Sequence, residues 1–241
     1  MIFRQILHEE KSCLSYLVGC PSKGVCAVVD AQRRPEDYIK LADRLGLKII
    51  AVIETHIQAD HLSASPELSR KTGAPLYFGP GTKVKYQFKE LTDGSVIKVG
   101  RRRIKIIHTP GHTAEHICLL VDDWLVMTGD TLFVGDVGRV DLVEEETEAD
   151  YVKTKAKDLY QSLQKLLKLP EWTEIYPGHY KGSACGKGMD SKPSSTIGRE
   201  LRKNSALQFN EQDFTRYLME NMPLAPIDFL KIKKQNSGES K

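Results

Sequence analysis

No apolar run in this 241-residue chain approaches the roughly 20 residues that a bilayer crossing needs, so no membrane association is expected. The five cysteines, Cys13, Cys20, Cys26, Cys118 and Cys185, are odd in number and contain no C-x-x-C pair, which argues against a disulfide framework or a zinc knuckle. The opening "MIFRQILHEE" is too short and too charged for a signal peptide. A reducing, cytoplasmic setting is the expectation. Excess charge of one sign is also missing: the formal net charge is +3 and bases alternate with acids along the chain, which permits small anionic substrates and gives no reason to expect nucleic acid. The longest like-charged run, Arg101-Arg102-Arg103, reads as a solvated turn leading into a strand. There is no internal repeat and no low-complexity block.

What is present is a chain of ordinary globular composition, long enough to bury a sizeable core. "FRQIL", "SYLVG" and "VCAVVD" read as strands separated by turn residues such as Pro21-Ser22-Lys23-Gly24. "RPEDYIKLADRLGL" has helical spacing, "KIIAVIE" is a buried strand, "LSASPELSRKTG" is a second helix closed by Gly73, and "PLYF" is the next strand. From about 80 to 130 the pattern is mostly β, in "SVIKVG", "RRIKIIHTPG", "HICLLVDD" and "WLVMTGD". A long amphipathic helix is then predicted from about Glu148 to Leu167, followed by the strand "EIYPGH". "SSTIGRELRKN", with serines near its start as caps, and "NEQDFTRYLMENM" read as helices, and the tail "KKQNSGESK" as frayed. Two strand-rich halves, each with helices, predict two sheets packed face to face with helices outside. The division expected is a catalytic domain over 1–205 and a helical extension and tail over 206–241, packed on the same domain.

Four segments stand at the ends of predicted strands: "THIQADH", "TPGHTAEH", "MTGDTLFVGDVGR" and "IYPGHY". Each delivers a His or Asp from a strand into a loop, where it can point at a shared centre. One such residue alone is a weak signal, because a lone histidine is more often a satisfied core or surface group. Four in this order and spacing are a strong one.

In this pattern the chain resembles the metallo-β-lactamase superfamily, with its T-H-x-H-x-D-H, G-H-T, G-D and G-H elements, over about residues 10 to 180. The resemblance implies an αββα sandwich, an α/β fold of two mixed sheets with helices outside. It also implies that His56, position 58 and His112 serve one metal site, that Asp60, His61 and His179 serve a second, and that Asp130 bridges them. Gln58 breaks the first set, since a neutral amide is a far poorer zinc ligand than imidazole. His56, His112 and Asp130 remain, the two-His, one-carboxylate set of non-haem Fe(II) oxygenases, with positions open for dioxygen and substrate.

The runs "TGDTLFVGDVGRVDL", "GSACGKGMDSKPSSTIGRE" and "PLAPIDFLKIKKQN" resemble the persulfide dioxygenase branch of the superfamily, which is similar to glyoxalase II in fold and binds one iron. Some members of that branch keep a histidine at the position of Gln58, so the glutamine argues against two zincs and does not by itself create an iron site. The implied cofactor is one Fe(II) per chain, and the implied reaction is oxidation by O2 of the outer sulfur of a low-molecular-weight thiol persulfide, of the glutathione or coenzyme A type, to sulfite. Glutathione as the thiol is put in question by "GHYKGS", which departs from the H-D-Y form of glutathione-using relatives. Relatives with C-terminal rhodanese domains continue beyond "KKQN", so a stand-alone enzyme served by a separate rhodanese-type sulfurtransferase is expected. A homo-oligomer would match the base rate for metabolic enzymes.

Other candidates have two readings each. Asp60, His61 and His179 bind a second metal or orient the first metal's ligands. Arg139 grips a substrate carboxylate or forms a salt bridge with Asp136 or Asp141. Cys185 relays sulfur or is inert and buried, while Cys13, Cys20, Cys26 and Cys118 are core. Tyr176 and Tyr180 flank His179, and Tyr180 is a candidate substrate contact. His116 is structural. The alternative activity is a glyoxalase II-like, zinc-dependent thioester hydrolase, and a metal-dependent sensor or binding module is the non-enzymatic alternative.

Overall fold

The computed structural model describes residues 1–32, 34–142, 149–222 and 224–239. Its first sheet has the order β1 (Ile2–His8), β2 (Cys13–Cys20), β3 (Val25–Val29), β4 (Lys48–Ile53), β5 (Leu76–Phe78) and β6 (Lys89–Glu90). The first three strands are antiparallel, and β3 to β6 run parallel. The second sheet is formed by β7 (Val96–Val99), β8 (Arg102–His108), β9 (Ile117–Val121), β10 (Leu125–Gly129), β11 (Glu174–Pro177) and β12 (Ser195–Thr196), antiparallel except where β10 meets β11.

Period-two alternation explains why these strands read as continuous apolar runs: both faces of each sheet are covered. Leu14, Tyr16 and Val18 of β2, with Ala27, Val29, Ala51 and Ile53, face Ile104, Ile106, Leu119, Val121 and Met127 of the other sheet. Their neighbours one residue along, Leu17, Val28 and Val52, point outward onto Tyr38 and Ala42 of α1 (Pro35–Arg44) and Leu68 of α2 (Ser65–Thr72). Cys118, Leu120, Val126 and Ile175 of the second sheet meet Ala156, Leu159 and Leu163 of α3 (Ala149–Leu166), Ile197 of α4 (Ile197–Lys203) and Phe214 and Leu218 of α5 (Glu211–Asn221). The result is the αββα sandwich, with α5 on the same core as α3. Among the described residues no helix is long and apolar enough to cross a membrane.

Local expectations hold where the chemistry is local. Gly73 ends α2 with φ of 70°, a left-handed cap that favours glycine. Two differ. Thr196, and not a serine, caps α4, accepting from the Arg199 amide at 3.2 Å. The tail is not frayed through Asn236: Phe229–Asn236 forms α6, and Asn236 and Ser237 are buried. Glu148, where the long helix was expected to begin, and the last two tail residues lie outside the described residues.

Candidate metal centre

Each ligand-bearing segment leaves the carboxyl end of a strand, His56 after β4, His112 after β8, Asp130 after β10 and His179 after β11, so the sandwich gathers them at one rim. Glycine makes the close approach possible. A Cβ on Gly178 would stand 2.5 Å from Asp130 Oδ1, and one on Gly129, where φ is 47°, would stand 2.5 Å from His116 Nε2.

Two hydrogen bonds decide what the histidines offer. The Thr55 amide and hydroxyl both donate to Asp30, at 2.7 and 2.9 Å, which leaves the hydroxyl oxygen to accept from His56 Nδ1 at 2.9 Å. The backbone oxygen of Arg139 can only accept, so His112 Nδ1 donates to it at 2.7 Å. In both rings the proton is on Nδ1 and Nε2 presents a lone pair. These two nitrogens lie 3.9 and 3.5 Å from Asp130 Oδ2, a buried oxygen without a hydrogen-bond partner. Burial pushes His56 down to about 3, against the attraction of Asp130, so its ring is neutral. Three electron-pair donors converge with no proton between them. That arrangement is unfavourable until a cation enters, and His56, His112 and Asp130 therefore fit a metal.

His116 buttresses the set. Its Nε2 accepts from the Asp130 amide at 2.9 Å, its Nδ1 faces the Thr109 and Thr131 hydroxyls at 2.9 and 3.1 Å, and its ring stacks on His56 with centroids 5.1 Å apart. It is structural, as its place in the sequence suggested.

A second cluster adjoins the first through His179, which donates Nδ1–H to Asp130 Oδ1 at 2.7 Å and Nε2–H to Asp60 Oδ2 at 2.9 Å. Burial alone would lower this imidazole, but the carboxylate of Asp130, the Cys185 sulfur and Asp60 raise it well above the ordinary range, so without metal it is an imidazolium. Asp60 Oδ1 accepts from His61 Nδ1 at 2.9 Å; burial opposes the charge on His61 too, yet the Asp60 carboxylate lifts it to about 10. Cys13 completes the group, its thiol 3.3 Å from Asp60 Oδ2. Cys13, Asp60, His61 and His179 could hold a second ion or, as they stand, orient Asp130. Cys13 is buried as expected, but its sulfur faces this polar cluster.

The remaining candidates fall elsewhere. Arg139 is 2% exposed and its guanidinium grips Asp141 at two points, both 2.7 Å, and donates to the Ala184 and Leu224 carbonyls at 3.0 Å. That is the salt-bridge reading with Asp141; the geometry gives no support to a substrate grip. Cys185 lies within reach of Asp130 and His179, packed on Phe133 and Met189, and burial pushes its thiol up to about 12. It is a thiol and not a thiolate at neutral pH. Tyr180 packs a half-buried ring on the core between the sheets. Gln58 is buried, its amide set against Glu54 and its side-chain oxygen without a partner. Thr55 and Asp30 were missed in the sequence. The threonine beside His56 and the acid directly after the apolar run "VCAVV" were the available signals, and the structure gives that acid a φ of 50°.

Comparison with known proteins agrees with this geometry. Residues 8–179 match the sequence model of the Metallo-beta-lactamase superfamily. A hydroxyacylglutathione hydrolase of Rhizobium etli is 36% identical over 169 residues, 68% of this chain and 60% of that protein, so the chain spans less than two thirds of this relative's length. A metallo-beta-lactamase from Staphylococcus aureus subsp. aureus COL superimposes with a TM-score of 0.91 at 32% identity, over 100% of this chain and 73% of the other. ETHE1 from Myxococcus xanthus superimposes with a TM-score of 0.83 at 28% identity, over 100% of both chains. With its rim of strand-end histidines and aspartates on an αββα sandwich, the chain belongs to the metallo-beta-lactamase superfamily.

Proposed function

We propose that the protein is a mononuclear Fe(II) persulfide dioxygenase that oxidises the outer sulfur of a low-molecular-weight thiol persulfide with O2 and one water, giving sulfite, the free thiol and protons. The observation that carries this reading is the convergence of His56, His112 and Asp130 on one point, with Gln58, at the sequence position where the superfamily pattern has a histidine, turning its amide to Glu54 instead. Such a two-His, one-carboxylate set suits iron, which when bound would supply vacant positions for persulfide sulfur and dioxygen. The chain's own residues do the holding. Thr55 and the Arg139 carbonyl fix the two rings with Nε2 forward, and His179 orders the Asp130 carboxylate. Near-complete burial of all three ligands keeps bulk water away from a reactive centre. The structural likeness to ETHE1, running the length of both chains, goes with this reading.

A second reading, a zinc-dependent thioester hydrolase, is favoured by the identity to hydroxyacylglutathione hydrolase and by the donors at Cys13, Asp60, His61 and His179, which could take a second ion. Oxygen uptake separates the two. Protein loaded anaerobically with Fe(II) is given glutathione persulfide or coenzyme A persulfide, with sulfite quantified alongside. Uptake that tracks iron content and yields sulfite is expected; none with either substrate, in protein holding one iron per chain, would send the assignment to thioester hydrolysis.

A further inference from the structure

The loop from Gln58 to Ser63 carries Asp60 and His61, and it lies between β4 and α2 without strand or helix of its own. Its backbone groups are taken up by a residue far away in the chain. Asn236, the last residue of α6, donates its side-chain amide to the carbonyl oxygens of Gln58 and His61, both at 2.8 Å, and accepts from the Ser63 amide at 3.0 Å. Every polar atom of this buried side chain is thus bonded to the loop. The end of α6 is itself anchored from behind, where the Tyr86 hydroxyl donates to the Asn236 carbonyl at 2.6 Å and the Lys85 amide to the Ser237 carbonyl at 2.8 Å.

We propose that Asn236 is a positioning residue of the metal centre and that α6 is a clasp over its ligand-bearing loop. Buried carbonyls at positions 58 and 61 need donors, and Asn236 supplies both from one rigid amide. Held there, the loop presents Asp60 to His179, and His179 presents its other nitrogen to Asp130, whose second oxygen faces His56 and His112. Without the clasp the loop can relax toward solvent, and the charge-assisted chain that orders Asp130 loses its far end. The same C-terminal segment meets the other side of the site, since the Leu224 carbonyl accepts from Arg139, whose own carbonyl holds His112. The inference rests on the assignment of His56, His112 and Asp130 as metal ligands, and not on which reaction the metal performs.

The test uses the full chain, Co(II) chloride as probe, chelator competition for affinity and the visible ligand-field bands as a signature of geometry. Asn236→Ala and the isosteric Asn236→Asp, which keeps an acceptor for Ser63 but sets oxygen against two carbonyls, are compared with Tyr86→Phe, which loosens α6 without touching the loop. Both Asn236 variants are expected to weaken Co(II) binding about tenfold, as loss of an outer partner of metal ligands does, and to shift the bands. Tyr86→Phe, which loosens the anchor but leaves the Asn236 side chain on the loop, should lower the melting temperature and shift affinity and bands less than either Asn236 variant. Parental affinity and spectrum in either folded Asn236 variant would overturn the proposal, and so would an equal loss in Tyr86→Phe. A parent protein that binds no Co(II) would instead sink the metal-site assignment and this inference with it.

Discussion

Replacing Thr55 with valine removes one hydroxyl from beneath the metal centre and keeps the branched shape. That hydroxyl has two duties: it donates to Asp30 Oδ2 and accepts from His56 Nδ1–H. Thr55 is fully buried and Asp30 nearly so, with burial and then the neighbouring Glu54 charge pushing the Asp30 carboxyl up. A buried partner left unsatisfied costs about 1–3 kcal/mol. With one such loss at each end, Thr55→Val should lower the unfolding free energy of the metal-free protein by about 2–6 kcal/mol in a urea titration. The effect on metal is separate. Nothing then favours the proton on Nδ1, so His56 can turn or present N–H to the centre, and affinity for Fe(II) or Co(II) should fall about 10- to 100-fold. Chelator competition under anaerobic conditions measures this, with Thr55→Ser as the rescue because it restores the hydroxyl. The reasoning would be refuted by a valine variant of parental affinity, or by a serine variant that loses as much as valine.

Other perturbations address neighbouring links. In the metal-free protein, His61 at about 10 and the raised His179 keep protons that the unfolded chain releases near its ordinary imidazole value. The folded state then binds more protons, so their contribution is full below about pH 6.5 and declines as pH rises toward 10, on the order of 1 kcal/mol per pH unit for each group while it differs between the two states. Asp60 and Asp130 are held below the ordinary range by His179 and their other histidine neighbours in spite of burial, so their contribution is present above about pH 4 and lost on acidification. Urea titrations of the apoprotein that stay level from pH 7 to 10 would contradict this. Arg139→Ala strips Asp141 of its two-point partner and should destabilise by up to about 3 kcal/mol, with lysine recovering little because it cannot reproduce the fork. A stable alanine variant with a raised KM for persulfide would instead return Arg139 to the substrate. Gln58→His should raise zinc uptake while thioester turnover stays at background, whereas a gain in thioester hydrolysis would support the hydrolase reading.

The candidate metal centre was legible in the sequence because the segments that carry its residues are local events. His56, Asp60 and His61 share one short motif, and His112, Asp130 and His179 each sit in another, all four following a strand whose apolar run is unmistakable. Partners chosen by tertiary packing were not legible. Cys13 begins a strand of wholly buried residues and reads as core, yet the rim brings Asp60 to its sulfur. Arg139 offered Asp136 or Asp141 as a salt-bridge partner, and only the packed structure shows Asp141 in its fork. Strands of two residues, such as β6 and β12, are too short to show periodicity. The polar tail "KKQNSGESK" has the composition of a frayed end, and only contacts reaching back 175 residues turn Asn236 into an ordered helix terminus.

The order of the strands has a consequence for how ion and protein depend on each other. All of the first sheet comes from residues 2–90 and all of the second from 96–196, so the chain is written as two successive halves. The donors divide along that line: His56, Asp60 and His61 belong to the earlier half, and His112, Asp130 and His179 to the later one. An ion seated there is a rivet across the seam, and neither half owns a complete site. Metal affinity and the docking of one half on the other are then two faces of a single linked equilibrium. Strain that parts the halves expels the ion, and a chelator slackens the rim by the same amount of free energy that the ion had lent to it.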